Sequence, residues 1–195
     1  ANDEWIPNRL PDPNNLDKLF VLARMHYFAS HFEISVKICA DINKKDSLNQ
    51  NVMELAALNF VGLKSYDNAI NLYKGTGIKF SNPVFLYKAA VIEFESEKLD
   101  ECLNTLNAAL QDSSITRRKI GVTRINAANQ SIVEEINLLA ATYNLSGYVA
   151  LKKGMLPQAK DYFTKALAIE PSFVLAENNL KEVLKKQEEE KKEGK

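Results

Sequence analysis

The chain has 195 residues, 46% hydrophobic and 26% charged, which is long enough for one domain or one short array to bury a core without disulfides or metals. Lys plus Arg equals Asp plus Glu at 25 each, so no net positive field exists to hold phosphate backbones or an anionic surface, and nucleic acid is excluded as a general partner. No apolar run approaches the roughly 20 residues that span a bilayer, so no membrane insertion is expected.

The first stretch, residues 1–14, holds the only tryptophan, Trp5, and three of the six prolines. Prolines at this density predict an extended segment, with Trp5 packed on the first repeat as a cap. The segment has neither a basic n-region nor an apolar h-region. It begins at Ala1 without Met, as Met removal, a cleaved leader or trimming would each leave. A cytoplasmic location is the expectation, and a secreted or periplasmic one follows if a leader preceded Ala1.

Helical periodicity then predicts helices over 15–29, 31–44, 48–62, 66–78, 83–96 and 99–111. Capping-box spacing at Ser30 with Glu33 and at Ser47 with Gln50, together with Asn82-Pro83, marks three of their starts. Residues 112–131 interrupt the pattern. Ser131 with Glu134 has capping-box spacing again, which predicts a helix over 132–153. Gly154 as C-cap and Pro157 in a first turn predict the next helix over 157–169, and Pro171 ends it. A last helix over 172–190 begins amphipathic, with Val174, Leu175, Leu180, Val183 and Leu184, and becomes wholly charged. Glu182 with Lys186 and Glu188 with Lys192 support it as an exposed helix.

Small residues recur along this series. Ala23, Ala57, Ala90 and Gly147 fall in the first helix of each successive pair, and Ser35, Ala69, Cys102 and Ala159 in the second. The second-helix sites stand 34, 33 and 57 residues apart, so the insertion lies between the third and fourth units. Two antiparallel helices approach closely only where small side chains meet, which is the physical reason for the pattern.

From Ala140 to Phe173 the chain resembles a tetratricopeptide repeat, with Tyr143, Gly147, Ala159, Phe163, Ala166 and Pro171 at the offsets of that family. Ser146 and Ala150 depart from it, standing where larger residues are usual. The resemblance implies an all-α fold, a right-handed superhelical solenoid of antiparallel helix pairs with about four repeats and a C-terminal capping helix. The implied organisation is 1–14 extended, 15–173 repeat array with an insertion at about 112–131, and 174–195 capping helix and charged tail.

Such solenoids usually line a concave face with their first helices. Carried onto this chain, that geometry gives Phe20, Arg24, Tyr27, Asn51, Glu54, Leu58, Tyr87, Lys88, Val91, Asn144 and Tyr148 as groove residues; in the competing reading half of them are core. Their aromatic and aliphatic character suits another protein that inserts apolar anchors from a helix or an extended peptide. A two-carboxylate clamp for chaperone tails is not expected, because its sites carry Phe20, Arg24, Leu55, Val84 and Lys88 and lack most of the Asn and Lys donors.

The insertion carries Arg117, Arg118, Lys119 and Arg124 against Asp112 alone. It reads either as a solvated connector or as a loop or short helix offering Arg to an acidic partner or a phosphate. An enzyme would need a convergent set of reactive groups. His26 and Cys39 could meet across adjoining helices, but Cys39 falls at a packing site, and no nucleotide, metal or hydrolase motif occurs. Cys39 and Cys102 form no CxxC and have no His at ligand spacing. No cofactor, metal or catalytic residue is expected. The leading expectation is a non-catalytic interaction module or adaptor; the alternative is a structural subunit that assembles through the insertion or the end helices, with its oligomeric state open.

Overall fold

In the computed structural model the described residues are 12, 14–126 and 128–193, so the expectations for Trp5 and for the last two residues lie outside them. Nine α-helices are present among the described residues: α1 (Leu16–Phe28), α2 (Phe32–Lys45), α3 (Gln50–Gly62), α4 (Tyr66–Lys79), α5 (Pro83–Glu95), α6 (Leu99–Leu110), α7 (Leu138–Lys152), α8 (Leu156–Ile169) and α9 (Val174–Glu193). The chain divides into two compact units, residues 1–73 and 74–195. Both are built mainly of helices in sequence order, and the fold is an all-α helical repeat with one inserted β-hairpin in the second unit.

The eight predicted small sites are all buried. Ala23, Ser35, Ala57, Ala69, Ala90, Cys102 and Ala159 are each at 0% exposure, which is what a helix crossing without room for a larger side chain requires. In the first unit Ser35 Oγ donates to the Ala23 carbonyl at 2.8 Å, and Asn59 Nδ2 donates to Ser35 Oγ at 2.8 Å, tying α1, α2 and α3 together.

The helix pairs turn through one repeated device. Ser30, Lys64, Glu97 and Gly154 take positive φ angles of 59°, 57°, 59° and 72°, and each stands five residues before the small site of its second helix. The N–H of the following residue, the sixth of the turn, donates to the carbonyl of the first, as in His31 N–H to His26 O and Met155 N–H to Ala150 O, which is the Schellman closure. Ser30 is therefore a helix-ending residue and not the predicted cap of α2; that helix starts at Phe32, and His31 at its N-cap makes no side-chain capping bond. The start of α3 also differs from expectation, since Asn49 and not Ser47 accepts from Val52 N–H.

The largest departure is in the insertion. Ser113–Arg117 forms a 3-10 turn, and a β-hairpin follows, β1 (Lys119–Ile125) pairing antiparallel with β2 (Ser131–Asn137). The predicted helix over 132–153 begins only at Leu138, capped by Asn137, because Ser131 and Glu134 lie in β2. Ile120, Val122 and Ile136 on one face of the hairpin pack against the second unit's core with Leu138, Leu106 and Phe173. Alternation of inward apolar and outward residues is the period-two pattern of a half-buried strand.

Candidate partner-binding cleft

In the first unit, Phe20, Arg24 and Tyr27 stand four and three residues apart on α1 and so share a face, and Asn51, Glu54, Leu55 and Leu58 share a face of α3 by the same spacing. These two faces, with Phe28, line a single cleft of ≈ 340 Å³. All six groove residues predicted for the first two repeats are thereby brought together.

The cleft has an apolar floor and a polar rim. Leu55 is 6% exposed, whereas Phe28 is 72% exposed and presents most of its side chain to solvent. Tyr27 meets Phe28 edge-on at 5.4 Å and Phe32 at 5.8 Å, which orders the aromatic wall. The Arg24 guanidinium sits 5.9 Å from the centre of the Phe28 ring, a cation–π contact that holds the charge at the rim. Phe28 escapes a sequence reading because it occupies the last helical position of α1. Its place one turn beyond Arg24 is the signal that identifies it.

The groove residues predicted for the second unit separate. Tyr87 is buried at 9% exposure in the core cluster with Ala90 and Cys102, so its expected place in a groove is corrected. Burial, and then the neighbouring Cys102, hold its phenol well above the usual range. The reason is that α5 is buried on nearly every side, with Phe85, Leu86, Ala89, Ala90, Ile92 and Glu93 also inside. Val91 is half-buried against the same cluster, and the Lys88 ammonium lies 5.9 Å from the Phe85 ring. Asn144 accepts from Asn179 Nδ2 of α9 at 3.1 Å. Tyr148 is exposed and meets Phe94 edge-on at 5.3 Å, with Lys152 4.9 Å from the Phe94 centre.

The four basic residues of the insertion also divide. Arg124 Nε donates to Glu134 Oε1 across the hairpin at 2.5 Å, while Arg117, Arg118 and Lys119 are exposed and make no ion pair among the described residues. Because β2 brings Glu134 and Glu135 opposite Val122 and Gly121, the local excess of positive charge is smaller than the sequence window suggested.

The His26 and Cys39 pairing gains no support from the geometry. Cys39 is 1% exposed, and burial pushes its thiol up to about 11, so the thiolate that a nucleophile needs is disfavoured. His26 Nδ1 lies 3.4 Å from His31 Nδ1 instead. Among the described residues no cluster of three or more His, Cys, Asp or Glu could hold a metal, and no helix is long and apolar enough to cross a membrane.

No family model and no curated protein matches the sequence. Solved structures match its fold. A MamA fragment from Desulfovibrio magneticus RS-1 superposes with a TM-score of 0.64 at 11% identity, covering 93% of this chain and 90% of its own. A thermophilic TPR protein of Thermus thermophilus gives 0.57 at 12% identity, over 89% and 83%. The first TPR of Spaghetti (RPAP3), bound to the HSP90 peptide SRMEEVD, gives 0.55 at 19% identity, over 73% and 95%. At these identities the likeness is one of fold. The class is a helical-hairpin repeat protein, and the fold is that of tetratricopeptide-repeat proteins.

Proposed function

We propose that the chain is a non-catalytic interaction module whose α1–α3 cleft receives an apolar anchor from a peptide or helix of another protein. The observation that carries this reading is the convergence of Phe20, Arg24, Tyr27, Asn51, Glu54 and Leu58 on one cleft beside the exposed ring of Phe28. A large apolar side chain that enters loses water on all sides against Leu55, Leu58 and the aromatic wall, while Arg24 and Asn51 offer donors to the ligand backbone or an acidic neighbour. A TPR neighbour bound to a peptide supports protein ligands for this fold in general. The absent clamp donors speak for an anchor-driven ligand and not a chaperone tail.

A random-peptide display selection against the whole chain tests this. The selected peptides are expected to share an aromatic or large aliphatic anchor and to lose at least tenfold in affinity on Leu58→Glu and on Phe28→Ala. Unchanged affinity in both variants, with the helical circular dichroism intact, sinks the cleft assignment. The alternative of an assembling subunit rests on the hairpin's exposed Ile125 and Val133, at 62% and 66%. A mass by light scattering that stays monomeric across concentration speaks against it.

A further inference from the structure

The hairpin leaves one strand edge open beside its unpaired cations. Asn126 N–H donates to Gln130 O and Leu138 N–H to Arg118 O, and Ile120 stands opposite Ile136. The even-numbered residues of β1 therefore bond to β2. The odd-numbered ones, Lys119, Gly121, Thr123 and Ile125, turn their N–H and C=O groups the other way. The sheet is two-stranded among the described residues, so these groups form an unpaired edge, and all four residues are exposed. Natural edges of this kind are usually blunted by charge, proline or a covering element. This one has a single charge, Lys119, at its start, and an apolar outward face where Ile125 and Val133 stand at 62% and 66% exposure.

Charge distinguishes the two edges. The outer edge of β2 carries Glu135 with Glu134 beside it, whereas the start of β1 carries Arg117, Arg118 and Lys119, none of them ion-paired among the described residues. We propose that the outer edge of β1 adds an extended, acidic segment of a partner protein as a third, antiparallel strand. Antiparallel addition is the more stable pairing, and it sets the C-terminal end of the segment against the three cations. The segment is therefore acidic at its C-terminal end, with β-branched residues before it to cover Thr123 and Ile125. A second copy is the poorer occupant: β1 against β1 brings no acid, and β1 against the β2 edge of a neighbour repeats without closing, which builds an open polymer. This surface lies within the second unit and does not depend on the cleft reading.

The test uses the whole chain and a fluorescein-labelled peptide of alternating valine and threonine ending in three glutamates and a free carboxylate. Binding by anisotropy is expected, at least tenfold weaker for the Arg118→Glu, Lys119→Glu double variant and for a peptide of equal charge with proline at every second position. Amide exchange at Gly121, Thr123 and Ile125 is expected to slow with bound peptide, while Ile120 and Val122, already bonded to β2, stay unchanged. The proposal is overturned by any of four results: no binding, equal binding of the proline peptide, equal binding by the double variant, or unprotected edge amides in the saturated complex. Concentration-dependent growth without peptide, abolished by the same double variant, assigns the edge to self-assembly and also overturns it.

Discussion

Cys102 Sγ donates to the Ala90 carbonyl oxygen at 3.2 Å, at the place in its hairpin where Ser35 Oγ donates to the Ala23 carbonyl. The same crossing is thus closed by a thiol in one unit and a hydroxyl in another. In both cases a side-chain proton meets a helix carbonyl on the neighbouring first helix.

Burial of both thiols, Cys39 and Cys102, disfavours the reactive thiolate and gives stability a pH dependence. Burial pushes Cys39 up to about 11; burial, and then Glu93, push Cys102 up to about 12, from an ordinary value of 9.0. The folded state keeps these protons longer than the unfolded chain does, so the contribution is complete below pH 9.0 and is lost as pH rises through about 11 and about 12. Denaturation midpoints are expected to fall steadily above pH 9, and less steeply in Cys39→Ala, Cys102→Ala. Alkylation at pH 8 is expected to modify neither thiol in the native protein and both in denaturant.

The turn device yields a second prediction with a built-in control. Lys64 and Glu97 hold φ at 57° and 59°, a conformation that crowds a β-carbon, whereas Gly154 holds 72° freely with open space around it. Lys64→Gly and Glu97→Gly are each expected to stabilise by about 1 kcal/mol, net of the extra freedom glycine gives the unfolded chain. Gly154→Ala is expected to lose a similar amount, about 1 kcal/mol. Chemical denaturation of the three variants checks the sign, and a loss in both glycine variants contradicts the turn assignment.

Gly147 carries a different demand. A β-carbon added there would stand 2.7 Å from Phe163 Cε1, and Phe163 is itself fully buried. Gly147→Ala is expected to destabilise by about 1–3 kcal/mol through overpacking, against the gain that alanine normally brings to a helix. Phe163→Leu in the same background is expected to recover part of the loss, which a double-mutant cycle reads directly.

The difference between Gly147 and Tyr87 shows how far the sequence could be read. Small residues at a helix crossing are dictated by distance, and the period of 34 and 33 residues carries that demand along the chain, so Ala23 through Ala159 were legible. The convergence of Phe20, Arg24 and Tyr27 with Asn51, Glu54 and Leu58 was legible for a related reason: each set stands at helical spacing on its own helix. On α5 apolar residues occur all round, and no face can be assigned from the pattern alone. The hairpin was hidden by a coincidence, since Ser131 and Glu134 have the spacing of a helix cap. The competing signal was there in the alternation of Ile120 and Val122 and of Ile132 and Ile136 on either side of a polar turn, a period of two that helical expectation overrode.

Tyr87 and Tyr148, alike as groove residues on sequence grounds, are separated by the structure. Tyr87→Ala removes a ring from the core beside Ala90 and Cys102, so it is expected to destabilise by about 3–5 kcal/mol, as large-to-small core changes of an aromatic do. Tyr148 is 38% exposed and touches Phe94 by its edge; its truncation is expected to lose about 1 kcal/mol or less. Urea denaturation of the two variants decides the matter. Near-equal stabilities would return Tyr87 to the surface. A large gap fixes it in the core, and any weakening of partner binding by Tyr87→Ala then reports lost stability and not a lost contact.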